Sequence, residues 1–241
     1  FAGLPWFFDH AETITPRNIE RVKALGGGIA IQDRMAFQGE YFVDRYGAKA
    51  AEHTPPIARM LAEGVPVGAG TDATRVSSYN PWTSLYWLVS GRTVGGLALH
   101  PQGLSRDTAL ELFTHGSAWF SSEQGKKGQI KVGQLADLIA LSADYFHIED
   151  EGIKGIEAVL TIVDGKIVYG SVEFEKLGPP PIPVVPEWSP VAKVPGHWKP
   201  LAPLTAQVHQ CVGACAVHAH SHERARLSNA PVSDFRGFWG A

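Results

Sequence analysis

Short apolar runs alternate with segments of helical periodicity over the first 120 residues or so. The strand-like runs end near residues 10, 32 and 70. The first helical segment, 17–25, places Ile19, Val22 and Leu25 on one face, and Thr15-Pro16 supplies its N-cap and first turn. Strands about 20 to 35 residues apart with helices between them are typical of βα units and a parallel sheet.

The remaining helices of this region are predicted from their breakers and caps. A long loop is expected between residues 33 and 55, and Pro56 then opens a helix over 57–63 that Gly64 stops. Two more helices are predicted over 82–90 and over 106–121, the second with Ser105 as its N-cap.

After residue 124 the period shortens to that of extended strands. Four such runs are predicted, over 128–131, 136–141, 158–163 and 166–169. Asp164-Gly165 separates the last two and is a strong signal for a hairpin. We therefore predict a small β module after the α/β region.

Four parts follow from these changes of pattern. Residues 1–124 form the α/β part and 125–177 the small β domain. Prolines crowd residues 178–207, which we interpret as an extended arm. Residues 208–241 form a tail that contains cysteine and histidine.

Composition narrows the class of protein. The net charge of −3 and the pI near 6.4 do not favour nucleic acid or an anionic membrane as a partner. No apolar run reaches the roughly 20 residues of a membrane-spanning helix. The two cysteines form no disulfide framework and fit a cytoplasmic location. Because the chain starts at Phe1 without a leader pattern, we expect it to begin part-way through a longer polypeptide or to have been processed. A homo-oligomer is possible.

Two polar residues stand where strands give way to loops, a common place for ligand groups in parallel α/β proteins. His10 ends the run Trp6-Phe7-Phe8-Asp9, and Asp72 follows Gly68-Ala69-Gly70-Thr71. Imidazole and carboxylate at such positions can hold a metal, and the carboxylate can also accept a proton from water. The alternatives are a histidine bonded to backbone and an aspartate that forms a turn or a helix cap.

The segment after Asp72 is long, polar and aromatic, which is typical of the wall of a substrate pocket. Its candidate substrate-binding residues are Arg75, Tyr79 and Trp82. Arg75 could pair with an anionic or carbonyl-bearing substrate, although a surface arginine is the simpler interpretation.

The tail has its own candidate metal ligands. Cys211, Cys215, His218 and His220 combine soft sulfur with imidazole, a chemistry that suits Zn2+. Their spacing matches no zinc-finger pattern, and the two cysteines could instead form a disulfide on oxidation.

Three segments together resemble the C-terminal half of the amidohydrolase superfamily. They are Asp9-His10-Ala11-Glu12-Thr13-Ile14, Gly70-Thr71-Asp72-Ala73 and Asn80-Pro81-Trp82. The run Gly128-x-Ile130-x-x-Gly133-x-x-Ala136-Asp137-Leu138 is similar to the segment in which such enzymes pass from their barrel to a small β domain. The branch that the sequence resembles is family 3, which contains the N-substituted formamide deformylases.

The resemblance implies an α/β fold: the C-terminal part of a distorted (β/α)8 TIM-type barrel, strands six to eight, with a composite β-sandwich domain. It implies one or two Zn2+ ions, or another divalent metal, with His10 as the strand-six ligand. Asp72 would be the strand-eight aspartate, catalytic and in contact with the metal. The implied reaction is hydrolysis of a non-peptide C–N bond, in an amide or N-substituted formamide, by metal-activated water. The chain alone is expected to be inactive without the N-terminal half of the barrel.

One departure and two alternatives stay open. Asp33 stands after Gln32 where the resembled pattern has a histidine. The same fold also hosts isomerases and decarboxylases. The chain could instead be a non-catalytic α/β fragment or a module that binds metal through its tail.

Overall fold

A computed structural model of the chain describes residues 3–100 and 103–180, together with the backbone of 214–215 and 220–221. The elements of the α/β part are, in chain order, β1 (Phe7–Asp9), α1 (Pro16–Ala24), β2 (Gly28–Gln32), α2 (Arg34–Tyr46), α3 (Ala48–Ala51), α4 (Ile57–Ala62), β3 (Val67–Gly70), α5 (Pro81–Ser90), α6 (Arg106–Phe113) and α7 (His115–Phe120).

The three predicted strands form one parallel sheet in the order β1-β2-β3, which confirms the βα organisation. β2 is central: Ile29 and Ile31 are fully buried, and its residues pair with both neighbours. At the carboxyl end, Asp9 pairs with Ala30 and Gln32 pairs with Gly70. β1 is an edge strand among the described residues, and all three of its residues are exposed.

Helix starts follow the capping signals of the sequence. The Thr15 side chain accepts from the Asn18 amide, and Ser105 accepts from the Thr108 amide, as expected for N-caps. α5 starts in the same way at Asn80, and all of its residues from 82 to 88 are buried. These apolar segments meet β2 in one core that contains Ile19, Val22, Ile29, Ile31, Met60, Leu85, Trp87 and Leu112.

The prediction of a long loop between residues 33 and 55 is wrong, because most of this segment forms the helices α2 and α3. Met35, Ala36 and Gly39 form the buried side of α2. A glycine inside a helix weakens the pattern that predicts one. Here a side chain on Gly39 would lie 2.4 Å from Leu99, so the glycine permits the close approach of the segment after α5.

Two smaller expectations are also corrected. The helix predicted over 106–121 is interrupted at Thr114, whose backbone leaves helical geometry (φ −110°, ψ −89°) and divides it into α6 and α7. The run 128–131 is not a strand, and Ile130 is 92% exposed there.

The small β module contains β4 (Leu138–Leu141), α8 (Asp150–Ile153), β5 (Ala158–Val163), β6 (Lys166–Gly170) and a 3-10 helix (Val172–Leu177). Its strands form an antiparallel sheet in the order β4-β5-β6. Asp164 and Gly165 both have positive φ, 50° and 73°, as the predicted two-residue hairpin requires. That this sheet is one layer of a composite sandwich stays a prediction.

Polar contacts join the β module to the α/β part. The Arg106 guanidinium donates to the carbonyls of Tyr145 and Ile148 and pairs with Asp150 at 2.6 Å. Since this side chain is only 18% exposed, the contacts fix the start of α6 against the segment before α8.

Asn80 is a second such contact and provides a stability test. Its side chain accepts from the Trp82 amide at 3.0 Å and donates to the Lys154 carbonyl at 3.3 Å. We expect Asn80→Ala to lower the free energy of unfolding by about 2 kcal/mol, because it removes a cap and a partly buried hydrogen bond. Urea denaturation measures this. The exposed cap variant Thr15→Ala, whose bond to Asn18 is 3.4 Å long, should cost clearly less.

The tail is described only in its backbone, where β7 (Ala214–Cys215) pairs with β8 (His220–Ser221) in antiparallel fashion. Cys211 and His218 lie outside the described residues, as do the side chains of Cys215 and His220. The tail metal site therefore stays a prediction. Within the described part of the chain, no helix has the length and apolar character needed to cross a membrane.

Candidate active site

Three titratable residues, one after each strand, follow the carboxyl ends of β1, β2 and β3. His10 directly follows β1, Asp33 directly follows β2, and Asp72 lies two residues after β3. Because parallel strands end at the same edge of their sheet, all three residues lie along one rim.

His10 and Asp72 come together across this rim. Nε2 of His10 lies 3.9 Å from Oδ2 of Asp72, and the two side chains are 37% and 46% exposed. Nδ1 of His10 is buried and has no hydrogen-bond partner. The structure thus brings together the two residues that the sequence singled out, 62 positions apart.

The backbone at these residues is in the left-handed region. φ is 72° at His10, 58° at Ala11 and 51° at Asp72, although none of them is glycine. Such conformations cost about 1 kcal/mol or more and occur preferentially at functional sites. The His10 amide donates to the Ala30 carbonyl at 2.8 Å, which holds the turn against β2.

The donor atoms fit a divalent cation. Zinc bonds to imidazole nitrogen and to carboxylate oxygen are each about 2.0 to 2.2 Å long. In the tetrahedral geometry of zinc, bonds of this length place two ligand atoms about 3.4 Å apart. The 3.9 Å between Nε2 of His10 and Oδ2 of Asp72 is about 0.5 Å wider. A shift of that size in the side chains therefore brings both atoms within bonding distance of one ion.

A second histidine–aspartate pair in the chain shows the contrast. Nδ1 of His147 lies 2.7 Å from Oδ2 of Asp144, a direct hydrogen bond, and the His147 side chain is 83% exposed. That pair satisfies itself at the surface. His10 and Asp72, at 3.9 Å, are too far apart to form such a direct hydrogen bond.

Within residues 3–100 and 103–180, no group of three or more histidine, cysteine, aspartate or glutamate side chains is arranged to hold a metal. Catalytic zinc sites generally have three protein ligands. His10 and Asp72 alone would be fewer than the three ligands of such a site.

The predicted substrate-binding residues divide into two groups. Arg75 and Tyr79 are exposed on the loop after β3, beside Asp72 in sequence. Trp82 is 8% exposed and packs in the core, with its ring centroid 6.2 Å from that of Tyr145. The structure does not bring Trp82 to the exposed rim.

Asp33 is the rim residue that the sequence interpretation did not assign. It is 1% exposed, and burial raises the pKa of its carboxyl group from 3.8 to about 6. The hydroxyls of Ser84 and Ser77 oppose this rise in pKa, and the negative charge of Asp72 adds to it. Its position directly after a central strand was the available signal.

Buried polar atoms without a partner concentrate at the same rim. Among the described residues, nine side-chain atoms are of this kind, and six belong to the ends of β1 and β2: His10 Nδ1, Glu12 Oε1, Gln32 Oε1, Asp33 Oδ1, Asp33 Oδ2 and Arg34 Nε. Unpaired buried groups are costly, so their concentration marks this edge as a place of function more than of stability.

Two grooves open beside the rim. One of about 920 Å³ is lined by residues 13–16, by residues 52–59 except Thr54, and by His100; another of about 520 Å³ runs along β1 and α1. Neither has His10 or Asp72 in its lining.

The parallel sheet and the polar residues at its carboxyl edge define a class of α/β protein whose functional site lies at the carboxyl ends of parallel strands. The model of the amidohydrolase family matches residues 1–169. The chain belongs to the amidohydrolase family.

Relatives and solved structures agree with this assignment. A protein from Bacillus subtilis described as "Putative amidohydrolase YtcJ" is 25% identical over 66% of this chain and 31% of its own length. A 5-methylthioadenosine/S-adenosylhomocysteine deaminase from Symbiobacterium thermophilum is 30% identical over 50% of this chain and 30% of its own length. The chain thus spans about a third of the curated relatives that it matches.

The structural likeness concerns the fold. A metal-dependent hydrolase from Pyrococcus horikoshii superposes with a TM-score of 0.53 at 23% identity, over 61% of this chain and 31% of that one. The zinc complex of the atrazine chlorohydrolase TrzN from Arthrobacter aurescens gives a TM-score of 0.50 at 20% identity, over 68% and 36%.

Proposed function

We propose that this chain is the C-terminal part of a metal-dependent hydrolase that cleaves a non-peptide C–N bond, in an amide or an N-substituted formamide. The observation that carries the proposal is the 3.9 Å approach of His10 Nε2 to Asp72 Oδ2 at the carboxyl end of a parallel sheet. Membership of the amidohydrolase family and the deaminase relatives favour C–N chemistry over the isomerase and decarboxylase alternatives.

His10 and Asp72 would hold one divalent metal, Zn2+ in the first instance, and a second ion would need ligands beyond the described residues. When bound, the metal lowers the pKa of a water molecule to about 7 and polarises the scissile carbonyl. Asp72, which is nearly half exposed, accepts the proton of the attacking water and delivers it to the departing nitrogen.

The rest of the barrel would complete the site from the β1 side. All residues of β1 are exposed, with Phe8 at 53%, and the strand pairs only with β2 among the described residues. Further strands added there would cover this edge and provide the ligands that His10 and Asp72 lack. The chain alone would then be inactive.

Substrate contacts in this chain come from the loop after β3. Arg75 and Tyr79 are exposed there and can contact the carbonyl or an aromatic N-substituent of the substrate. Trp82 is buried in α5, so we assign it a role in supporting this helix and not in contacting substrate.

Metal binding tests the proposal. We expect the chain to bind Zn2+ or Co2+, and His10→Ala to weaken binding by about 100-fold or more, because loss of a partner outside the ligand set already costs about 10- to 100-fold. Equilibrium dialysis with metal analysis measures the affinity. His147→Ala, which removes the histidine of the surface pair with Asp144, is the matched control and should change nothing.

The alternative of a tail metal module makes the opposite prediction. A variant with Cys211→Ser, Cys215→Ser, His218→Ala and His220→Ala should retain the metal if the rim binds it. If this variant loses all metal while His10→Ala loses none, the rim is not the metal site.

A further inference from the structure

A small cavity lies between the start of α4 and the second half of α5. Its volume is about 40 Å³, and it adjoins the groove of about 920 Å³, with which it shares Ile57, Ala58 and His100. Among the described residues that line the cavity, Trp87 and His100 are the two with polar side-chain atoms. The others have apolar side chains or are glycine, so these two residues determine what the cavity can bind.

Both polar side chains of the cavity are unpaired. Nε1 of Trp87 and Nε2 of His100 are buried, and neither has a hydrogen-bond partner. The two rings meet edge to face, with their centroids 6.0 Å apart and their planes at 66°. Trp87 is only 1% exposed, so bulk water at the surface does not satisfy its N–H group.

The surroundings of His100 determine which ring nitrogen carries the hydrogen. Its amide donates to the Gly91 carbonyl at 3.0 Å, and Nδ1 lies 3.2 Å from the Glu52 carbonyl. A carbonyl oxygen can only accept, so Nδ1 carries the hydrogen. Burial lowers the pKa of His100 and favours the neutral ring, against the opposing effect of the Glu52 and Thr54 carbonyls. In that neutral ring Nε2 has a free lone pair and is an acceptor.

The two unpaired atoms are therefore complementary to one kind of group. The indole N–H of Trp87 can only donate, whereas Nε2 of His100 in this tautomer can only accept. One group that pairs with both must accept and donate at the same time. A carbonyl or carboxylate oxygen only accepts and an ammonium group only donates, whereas an O–H group does both.

The size of the cavity agrees with such an occupant. One water molecule needs roughly 10 to 15 Å³ of accessible space and at least two polar partners. The volume of about 40 Å³ exceeds that requirement, and Trp87 and His100 supply the two partners.

We propose that this cavity binds one O–H group, of water or of a small alcohol, which accepts from Nε1 of Trp87 and donates to Nε2 of His100. An alcohol places its carbon atoms toward the adjoining groove, against Ile57 and Ala58. Either occupant connects α5 through His100 to the Glu52 carbonyl at the end of α3. The site goes beyond the proposed function and does not depend on a metal at the rim.

NMR spectroscopy of the full chain tests the site. We expect a nuclear Overhauser cross peak between the indole N–H of Trp87 and a water molecule that stays bound longer than the protein tumbles. His100→Leu removes the acceptor and should abolish this cross peak. Trp6 is the matched indole, because its Nε1 already donates to the Leu25 carbonyl at 3.2 Å, and it should show no long-lived water in either protein.

A titration with isopropanol and acetone distinguishes the two sources of the O–H group. The two molecules have the same arrangement of heavy atoms, but acetone can only accept. If an alcohol binds, isopropanol should remove the water cross peak and shift the Trp87 N–H resonance to saturation, and acetone should do neither. If water alone binds, the cross peak should persist in both solvents.

Nitrogen NMR of the histidine rings is an independent measurement that needs no variant. The hydrogen of neutral His100 should be on Nδ1, as in His147, whose Nδ1 lies 2.7 Å from Asp144. The proposal is overturned if that hydrogen is on Nε2, or if Trp87 shows neither a water cross peak nor a response to isopropanol. It is also overturned if the cross peak survives in His100→Leu, or if acetone acts as isopropanol does.

Discussion

Asp72→Asn should, on the function proposed above, reduce turnover about 1000-fold in a longer protein that adds further barrel strands to this chain, because a positioned general acid–base contributes about 10²- to 10⁴-fold. Asparagine preserves the shape of the side chain and accepts the left-handed backbone of residue 72. It cannot take a proton from water. The loss should therefore fall on kcat more than on KM, measured as release of formate or amine from an N-substituted formamide.

The matched control is Asp144→Asn, which removes the carboxylate of the surface histidine–aspartate pair. Its turnover should equal that of the unsubstituted protein. Turnover of Asp72→Asn within 10-fold of that value would contradict the role of Asp72. The metal content of each variant shows whether the lost step is proton transfer or metal retention.

Asp33→Asn should remove a pH dependence of stability worth about 3 kcal/mol. Burial raises the pKa of Asp33 from 3.8 to about 6 in the folded chain. Between these values the unfolded chain releases a proton that the folded chain keeps, so the free energy of unfolding falls as pH rises through this window. The fall in the free energy of unfolding is complete above about pH 6, and it amounts to about 1.4 kcal/mol for each pH unit between the two pKa values.

Urea denaturation at a series of pH values from 4 to 8 measures this effect. Relative to the unsubstituted chain, Asp33→Asn should gain about 2.4 kcal/mol between the two ends of the series, because part of the effect lies below pH 4. Asp44→Asn, on an exposed position of α2, is the matched variant and should show no such gain. Parallel curves for Asp33→Asn and the unsubstituted chain would contradict the raised pKa.

The sequence predicts the parallel sheet well because its signals are local. Thr15-Pro16 and the glycines after residue 25 bound α1, and the apolar run of β2 needs no distant partner to be recognised. α2 was missed because Gly39 interrupts its pattern for a reason outside the helix, the approach of Leu99.

The candidate site divides in the same way. His10 and Asp72 are predictable because each ends a recognisable strand, and parallel strands bring their ends together. Asp33 also directly follows a strand, but no role was predicted for it. Its burial and the two serine hydroxyls that affect its pKa are properties of the folded chain. Trp82 was predicted from its place in the sequence beside the candidate site, whereas its burial in the core is a property of the folded chain.

The left-handed backbone at residues 10, 11 and 72 restricts how this rim can be altered. A β-branched replacement such as His10→Val would force the peptide to relocate, and a change in metal affinity would then report main-chain rearrangement together with the missing imidazole. Asparagine and glycine tolerate the same torsion angles. Libraries that diversify this edge for new chemistry should therefore draw on those two residues, and on aspartate, before larger ones.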